Sequence, residues 1–146
     1  MKIAIATDTN SGVRPEALTA PGLYLLPMPV LVDEQVYAEG LDIRNPQLYD
    51  AMKQHKRIST SQPAPGQVLD LWDRILADGY DQLVYIPMSS GLSGSCVTAA
   101  QLAEDYDGRV QVVDNHRISV TMRQSVLEAL QMTKDGKTGA EIKAYL

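Results

Sequence analysis

Three short stretches hold the residues best suited to bind or transform a ligand. Pro87-Met88-Ser89-Ser90-Gly91-Leu92-Ser93-Gly94-Ser95 sets small polar residues between an apolar run and a helical pattern. Backbone N–H groups freed at a helix amino terminus favour an anion, and Gly91 and Gly94 let the backbone approach it closely. A carboxylate or a phosphate suits such a loop. Read alone, the same residues are equally a tight strand-to-helix turn capped by Ser93 or Ser95. Ser59-Thr60-Ser61-Gln62-Pro63 places three consecutive hydroxyls ahead of a second helical pattern. Hydroxyls donate hydrogen bonds to a carboxylate without a counter-charge, which keeps a ligand exchangeable; ordinary capping is the alternative. The third stretch, Asp8-Thr9-Asn10-Ser11-Gly12, follows the first apolar run, where α/β folds place ligand-contacting loops. Asp8 is expected to hold a hydroxyl or an amide in position.

Patterns for catalysis are weaker. A nucleophile elbow requires Gly-x-Ser-x-Gly, but Gly91-Leu92-Ser93 is followed by Gly94-Ser95, so the second glycine arrives one residue early. Gly136-Lys137-Thr138 has Gln131 where a phosphate-binding Walker loop needs glycine. His116 has the pKa range of a general base but no recognisable nucleophile motif beside it. Cys96 near a helix start reads as a small core residue. Asp8, Asp42 and Asp114 lie in separate loops without metal-ligand spacing, so neither metal nor cofactor is expected.

The elements that must position these loops alternate in type. Ile3–Thr7, Leu23–Leu26, Leu83–Met88 and Val110–Val113 are short apolar runs of the kind that form strands buried on both faces. Val30–Val32 and Val36–Ala38 flank Asp33-Glu34-Gln35 as a hairpin, and Pro15 starts a brief helix. Helices are expected from Asn45 as N-cap, burying Leu48, Met52 and Ala51; through Val68, Leu71, Trp72, Ile75 and Leu76; over 97–103; and from Ser119 through Val120, Met122, Val126, Leu127, Leu130 and Met132. Residues 59–66 read as turn. Thr138 with Glu141 forms a capping box for a last helix. The order predicts a three-layer α/β domain over residues 1–146, with a mostly parallel sheet flanked by helices.

Composition narrows the function. With 146 residues, 45% apolar, 21% charged and a net charge of -5, the chain fits one globular core. Scattered Lys and Arg argue against nucleic-acid binding. No apolar stretch is long enough for a signal-peptide core or a membrane span, so a cytoplasmic location without membrane insertion is expected, which the single cysteine also suits.

Five stretches in order, Thr7-Asp8-Thr9, Glu39-Gly40-Leu41-Asp42-Ile43, Thr60-Ser61-Gln62-Pro63-Ala64-Pro65-Gly66, Ser89-Ser90-Gly91-Leu92-Ser93-Gly94-Ser95 and Val112-Val113-Asp114, resemble the motifs of the DegV family. The resemblance implies non-covalent binding of a long-chain fatty acid by a protein that is not itself an enzyme. In some members the bound carboxylate is presented to a separate ATP-dependent fatty acid kinase subunit. It implies that Thr60 and Ser93 hydrogen-bond the carboxylate, within a ligand-binding set of Ser59, Thr60, Ser61, Ser93, Gly94, Ser95, Asp8 and Thr9. Family members carry a second α/β domain; its absence from this chain leads to the expectation of an exposed apolar surface and self-association through it. The run Asn115-His116-Arg117-Ile118-Ser119 is more basic than the family pattern. The competing reading is a small serine hydrolase or acyltransferase using Ser93 with His116.

Overall fold

The structure, a computed structural model, describes residues 1–146, the side chain of Ala17 excepted. In chain order the elements are β1 (Ile3–Asp8), β2 (Leu23–Leu26), β3 (Pro29–Val32), β4 (Gln35–Ala38), α1 (Asn45–Lys53), β5 (Ile58–Thr60), α2 (Pro65–Ala77), β6 (Gln82–Ile86), α3 (Ser95–Ala103), β7 (Val110–Val112), α4 (Ser119–Lys134) and α5 (Gly139–Tyr145). Short 3-10 turns at Thr9–Ser11 and Pro15–Ala17 follow β1.

The four apolar runs pair as one parallel sheet, order β2-β1-β6-β7. Strand side chains alternate between faces, and here both faces are covered. Ala4, Ala6, Leu83 and Tyr85 meet Val68, Leu71, Trp72 and Ile75 of α2 and Cys96 and Ala99 of α3. Ile5, Val84 and Ile86 meet Val126, Ala129 and Leu130 of α4 and Ile142 of α5. The expected three layers are present. Completely burying a side chain such as Ile5 or Ile142 contributes about 1.5–3 kcal/mol. Gly139 lets α5 close on the sheet: a Cβ there would sit 3.0 Å from Gln82 Oε1 and 3.2 Å from Gln111 Cγ.

A second, antiparallel sheet of order β4-β3-β5 stands beside the first. With α1 it encloses its own small core of Val30, Val32, Ile43 and Ala51. The expected hairpin forms, but residues 59 and 60, read as turn, belong instead to the strand Ile58–Thr60. Ile58 anchors it, and main-chain pairing of Leu31 with Ser59 and Val30 with Thr60 overrides the turn preference of its hydroxyl residues.

Three helix expectations are corrected. The N-cap of α1 is Arg44, not Asn45; its backbone N–H donates to Gln47 Oε1 at 2.8 Å, a partner the capping asparagine of a sequence reading leaves out. Met52 is exposed because α1 covers only the small sheet and spends Ala51 and Leu48 on it. On α4, Val120 and Leu127 face outward, while Met122 is buried and Val126, Ala129, Leu130 and Met132 pack on the core beneath the sheet. The capping box of α5 forms as expected, with Glu141 N–H donating to Thr138 Oγ1 and Thr138 N–H to Glu141 Oε2. Thr138→Ala is expected to lower stability by about 1 kcal/mol, checked by urea denaturation.

Candidate functional site

The chain runs from β1 to β2 on one side and, later, from β6 to β7 on the other, so strand order reverses between β1 and β6. Loops at the carboxyl ends of two such strands diverge and leave a crevice. Here those loops are Asp8–Gly12 and Pro87–Gly94. They are tied across the crevice: Thr7 Oγ1 donates to the Ile86 carbonyl at 2.8 Å, and Met88 N–H donates to Asp8 Oδ2 at 3.0 Å.

Asp8 is fully buried. Its Oδ1 accepts from Asn10 N–H at 2.9 Å. Burial raises its pKa above the ordinary 3.8; the hydrogen bonds from Met88 and Asn10 oppose this and are outweighed, while Glu39 adds to the rise. A carboxyl with a raised folded-state pKa binds its proton more tightly when folded, so its contribution to stability falls as pH rises from 3.8 through the raised value. Stability of Asp8→Asn relative to wild type is therefore expected to improve as pH rises above about 4, read by urea denaturation at stepped pH. Thr9 Oγ1 donates to Glu39 Oε2 at 2.7 Å and accepts from Met28 N–H at 3.0 Å. Its hydroxyl thus ties the small sheet to the end of β1.

The serine loop is wound on itself. The Ser89 carbonyl accepts from Leu92 N–H at 3.0 Å and from Ser93 N–H at 3.2 Å, and Ser89 Oγ accepts from Gly91 N–H at 3.1 Å. It is also fastened to the segment after β7: Ser89 N–H donates to the Arg117 carbonyl at 3.1 Å and Ser90 N–H to Asp114 Oδ1 at 3.2 Å. At the start of α3, Ser93 Oγ accepts from Ser95 N–H at 3.2 Å, and the first intrahelical bond runs from Thr98 N–H to the Gly94 carbonyl. Cys96 and Val97 N–H in that first turn have no acceptor among the described residues. Ser95 Oγ is buried and likewise has no partner.

The hydroxyl segment 59–63 meets this loop directly. A Cβ at Gly94 would lie 3.4 Å from Gln62 Oε1, so Gln62 abuts the residue that follows Ser93. Thr60 ends β5 and is exposed; Ser59 leaves the strand on the opposite face, by the strand's two-residue alternation. Ser61 is exposed, its N–H donating to the Pro29 carbonyl at 3.3 Å. Large apolar side chains stand exposed on loops, Leu41, Leu92 and Ile118, and in the first turn of α4, Val120.

His116 Nδ1 lies 3.6 Å from Asp114 Oδ1. Burial works to raise the Asp114 carboxyl, but hydrogen bonds from Ser90 and the nearby His116 prevail and hold it below its ordinary value. The ring of His116 is thus engaged with Asp114, and Ser93 Oγ accepts from Ser95 N–H. Burial pushes the Cys96 thiol up to about 11, against any lowering by the helix start. Sequence reasoning missed two members of this end: Gln62 as the residue that joins the loops, and Arg117, whose guanidinium reaches Ser125 on α4 at 2.7 Å.

The DegV family model, described as an uncharacterised protein of the DegV family, matches residues 2–146. A DegV domain-containing protein of Deinococcus radiodurans is 34% identical over 143 residues, covering 97% of this chain and 50% of that protein. A DegV domain-containing protein of Staphylococcus aureus is 28% identical over 141 residues, again covering 97% and 50%. Among solved structures, the Bacillus subtilis DegV, described as a fatty acid binding protein, superposes with a TM-score of 0.88 at 26% identity, covering 99% of this chain and 52% of that one. A fatty acid binding DegV family protein of Streptococcus agalactiae gives 0.84 at 27%, covering 97% and 51%. The chain spans about half the length of the relatives it matches. With its sheet order, its paired hydroxyl loops and this agreement along residues 2–146, the chain belongs to the DegV family.

Proposed function

We propose that the crevice end of this chain binds the carboxylate of a long-chain fatty acid non-covalently, with Thr60 and Ser93 as hydroxyl donors. The observation that carries the reading is the junction of the two hydroxyl loops at the amino terminus of α3, where Cys96 N–H, Val97 N–H and Ser95 Oγ have no partner among the described residues. Neutral donors and a helix start suit one negative charge held reversibly. Asp8 and Thr9 support the loops from beneath, and Gly94 adds to the surrounding polar surface; Ser59, on the opposite face of β5 from Thr60, stands outside it. The description of the Bacillus subtilis and Streptococcus agalactiae proteins as fatty acid binding supports the choice of ligand.

On this reading the chain is a carrier and not a catalyst. An ATP-dependent kinase subunit phosphorylates the presented carboxylate. The exposed Leu41, Leu92, Ile118 and Val120 form an apolar rim through which the chain meets further protein, including a second copy of itself. The setting is the cytoplasm; among the described residues no helix is long and apolar enough to cross a membrane. Native mass spectrometry of the purified protein tests the central claim. A non-covalent adduct with the mass of a fatty acid is expected, whereas an acyl group covalently attached to Ser93 would overturn the carrier in favour of a serine acyltransferase.

A further inference from the structure

The small sheet and α1 form a lobe, residues 29–60, with a core of its own. Val30, Val32, Ile43 and Ala51 are buried there with Tyr37, Leu48 and Ile58 packed around them, and among the described residues none of these joins either core of the parallel sheet. Two short connections carry the lobe: Pro27-Met28 after β2 and Ser61-Gln62-Pro63-Ala64 before α2. A body that shares no apolar core with its neighbour loses little buried surface on moving away from it.

What holds the lobe is a row of contacts between residues 39–44 and the turns after β1. Thr9 Oγ1 donates to Glu39 Oε2 at 2.7 Å and accepts from Met28 N–H at 3.0 Å. The Gly40 backbone, at φ +83°, rests on Pro15: a Cβ there would lie 3.3 Å from Pro15 Cδ. Arg44 Nη2 meets Glu16 Oε1 at 3.0 Å, both side chains exposed. Residues 38–43 are themselves wound tight, the Ala38 carbonyl accepting from Leu41 and Asp42 N–H and Gly40 N–H donating to the Ile43 carbonyl, so they move with the lobe. An exposed ion pair adds little. The Thr9–Glu39 bond, part-buried and made to a charged acceptor, is the strongest of these ties. Thr9 belongs to the loop Asp8–Gly12, one wall of the crevice.

We propose that this lobe is a latched cover of the crevice: it swings on the two connections, the Thr9–Glu39 hydrogen bond holds it shut, and its opening sets the rate at which a ligand enters and leaves. The identity of the ligand rests on the fatty-acid reading above; the swing does not. Thr60 rides on the lobe and Ser93 on the parallel-sheet body, so a carboxylate held by both ties the two together. The latch bond is the same in the empty and the filled closed form. Removing it therefore favours opening in both alike, which alters rates and leaves affinity nearly unchanged.

Stopped-flow mixing of the full chain with cis-parinarate, a fluorescent fatty acid, tests the gate. Glu39→Ala should speed association and release together by roughly tenfold, the scale of one hydrogen bond to a charged group, with Kd moving far less. Glu39→Gln keeps an acceptor for Thr9 and should recover most of the slow exchange, while Arg44→Gln, at an exposed pair, should change the rates little. Relaxation dispersion of the ligand-free protein should place the Thr9, Met28 and Glu39 amides in one shared exchange process, absent from Leu83 and Val113 beside it in the parallel sheet. Unchanged rates in Glu39→Ala, or a weaker Kd with unchanged association, would overturn the gate and reduce Glu39 to a structural support. The lack of a shared exchange process would overturn the swing. If wild type binds no cis-parinarate, the fatty-acid reading fails, and dispersion alone decides whether the lobe moves.

Discussion

Replacing Trp72 by alanine is expected to cost the fold about 3–5 kcal/mol, the usual penalty for emptying a fully buried aromatic position. Trp72 is wholly buried between α2 and the sheet and makes edge-on contacts with Tyr85 on β6 and Tyr106 beyond α3, with ring centroids 5.6 Å and 5.4 Å away. Three elements therefore lose packing at once. Its indole N–H is buried without a partner, so Trp72→Phe removes an unsatisfied donor along with some volume and should cost much less than alanine. Urea denaturation of the two variants separates these contributions. The effect reaches the site because α2 begins just after Gln62, and loosening it frees the segment that abuts Gly94.

Removing the Ser93 hydroxyl carries the largest expected effect on binding. Ser93→Ala should weaken fatty-acid affinity by about 1–3 kcal/mol, the range for losing one hydrogen bond to a charged group. The same hydroxyl accepts from Ser95 N–H at the start of α3, so the substitution also uncaps the helix, and a fall in affinity has two possible origins. Thr60→Val separates them. Thr60 lies outside α3, on β5, and its loss should lower affinity on the same scale with no change in denaturation midpoint. Calorimetric titration with oleate, paired with denaturation of each variant, decides it. Unchanged affinity in both variants would place the head group in other loops.

The parallel sheet was legible because its strands are buried on both faces. Ile3–Ala6 and Leu83–Ile86 have to be apolar on successive residues, and that demand writes a continuous run into the chain. The helices were legible where one face meets the sheet, as in Val68, Leu71, Trp72 and Ile75. Hydrophobicity alone did not say which apolar residues of α4 turn inward: Val120 and Leu127 have the same character as Val126 and Leu130, and only the direction of the neighbouring sheet separates them.

Two candidate loops, their residue types and the capping box at Thr138 were local facts, set by φ, ψ and side-chain reach within a few residues. The sequence therefore determined which hydroxyls, glycines and helix starts were available. Tertiary structure alone decided which of them meet. Asp8 and Met88 are 80 residues apart and form one hydrogen bond across the crevice; Gln62 touches Gly94 because β5 joins a second sheet that its polar residues do not announce. Arg117 acquires its place from a buried serine on the following helix and a carbonyl bond to Ser89. Such pairings depend on strand order and on the angle at which loops leave the sheet, quantities that short-range spacing does not encode.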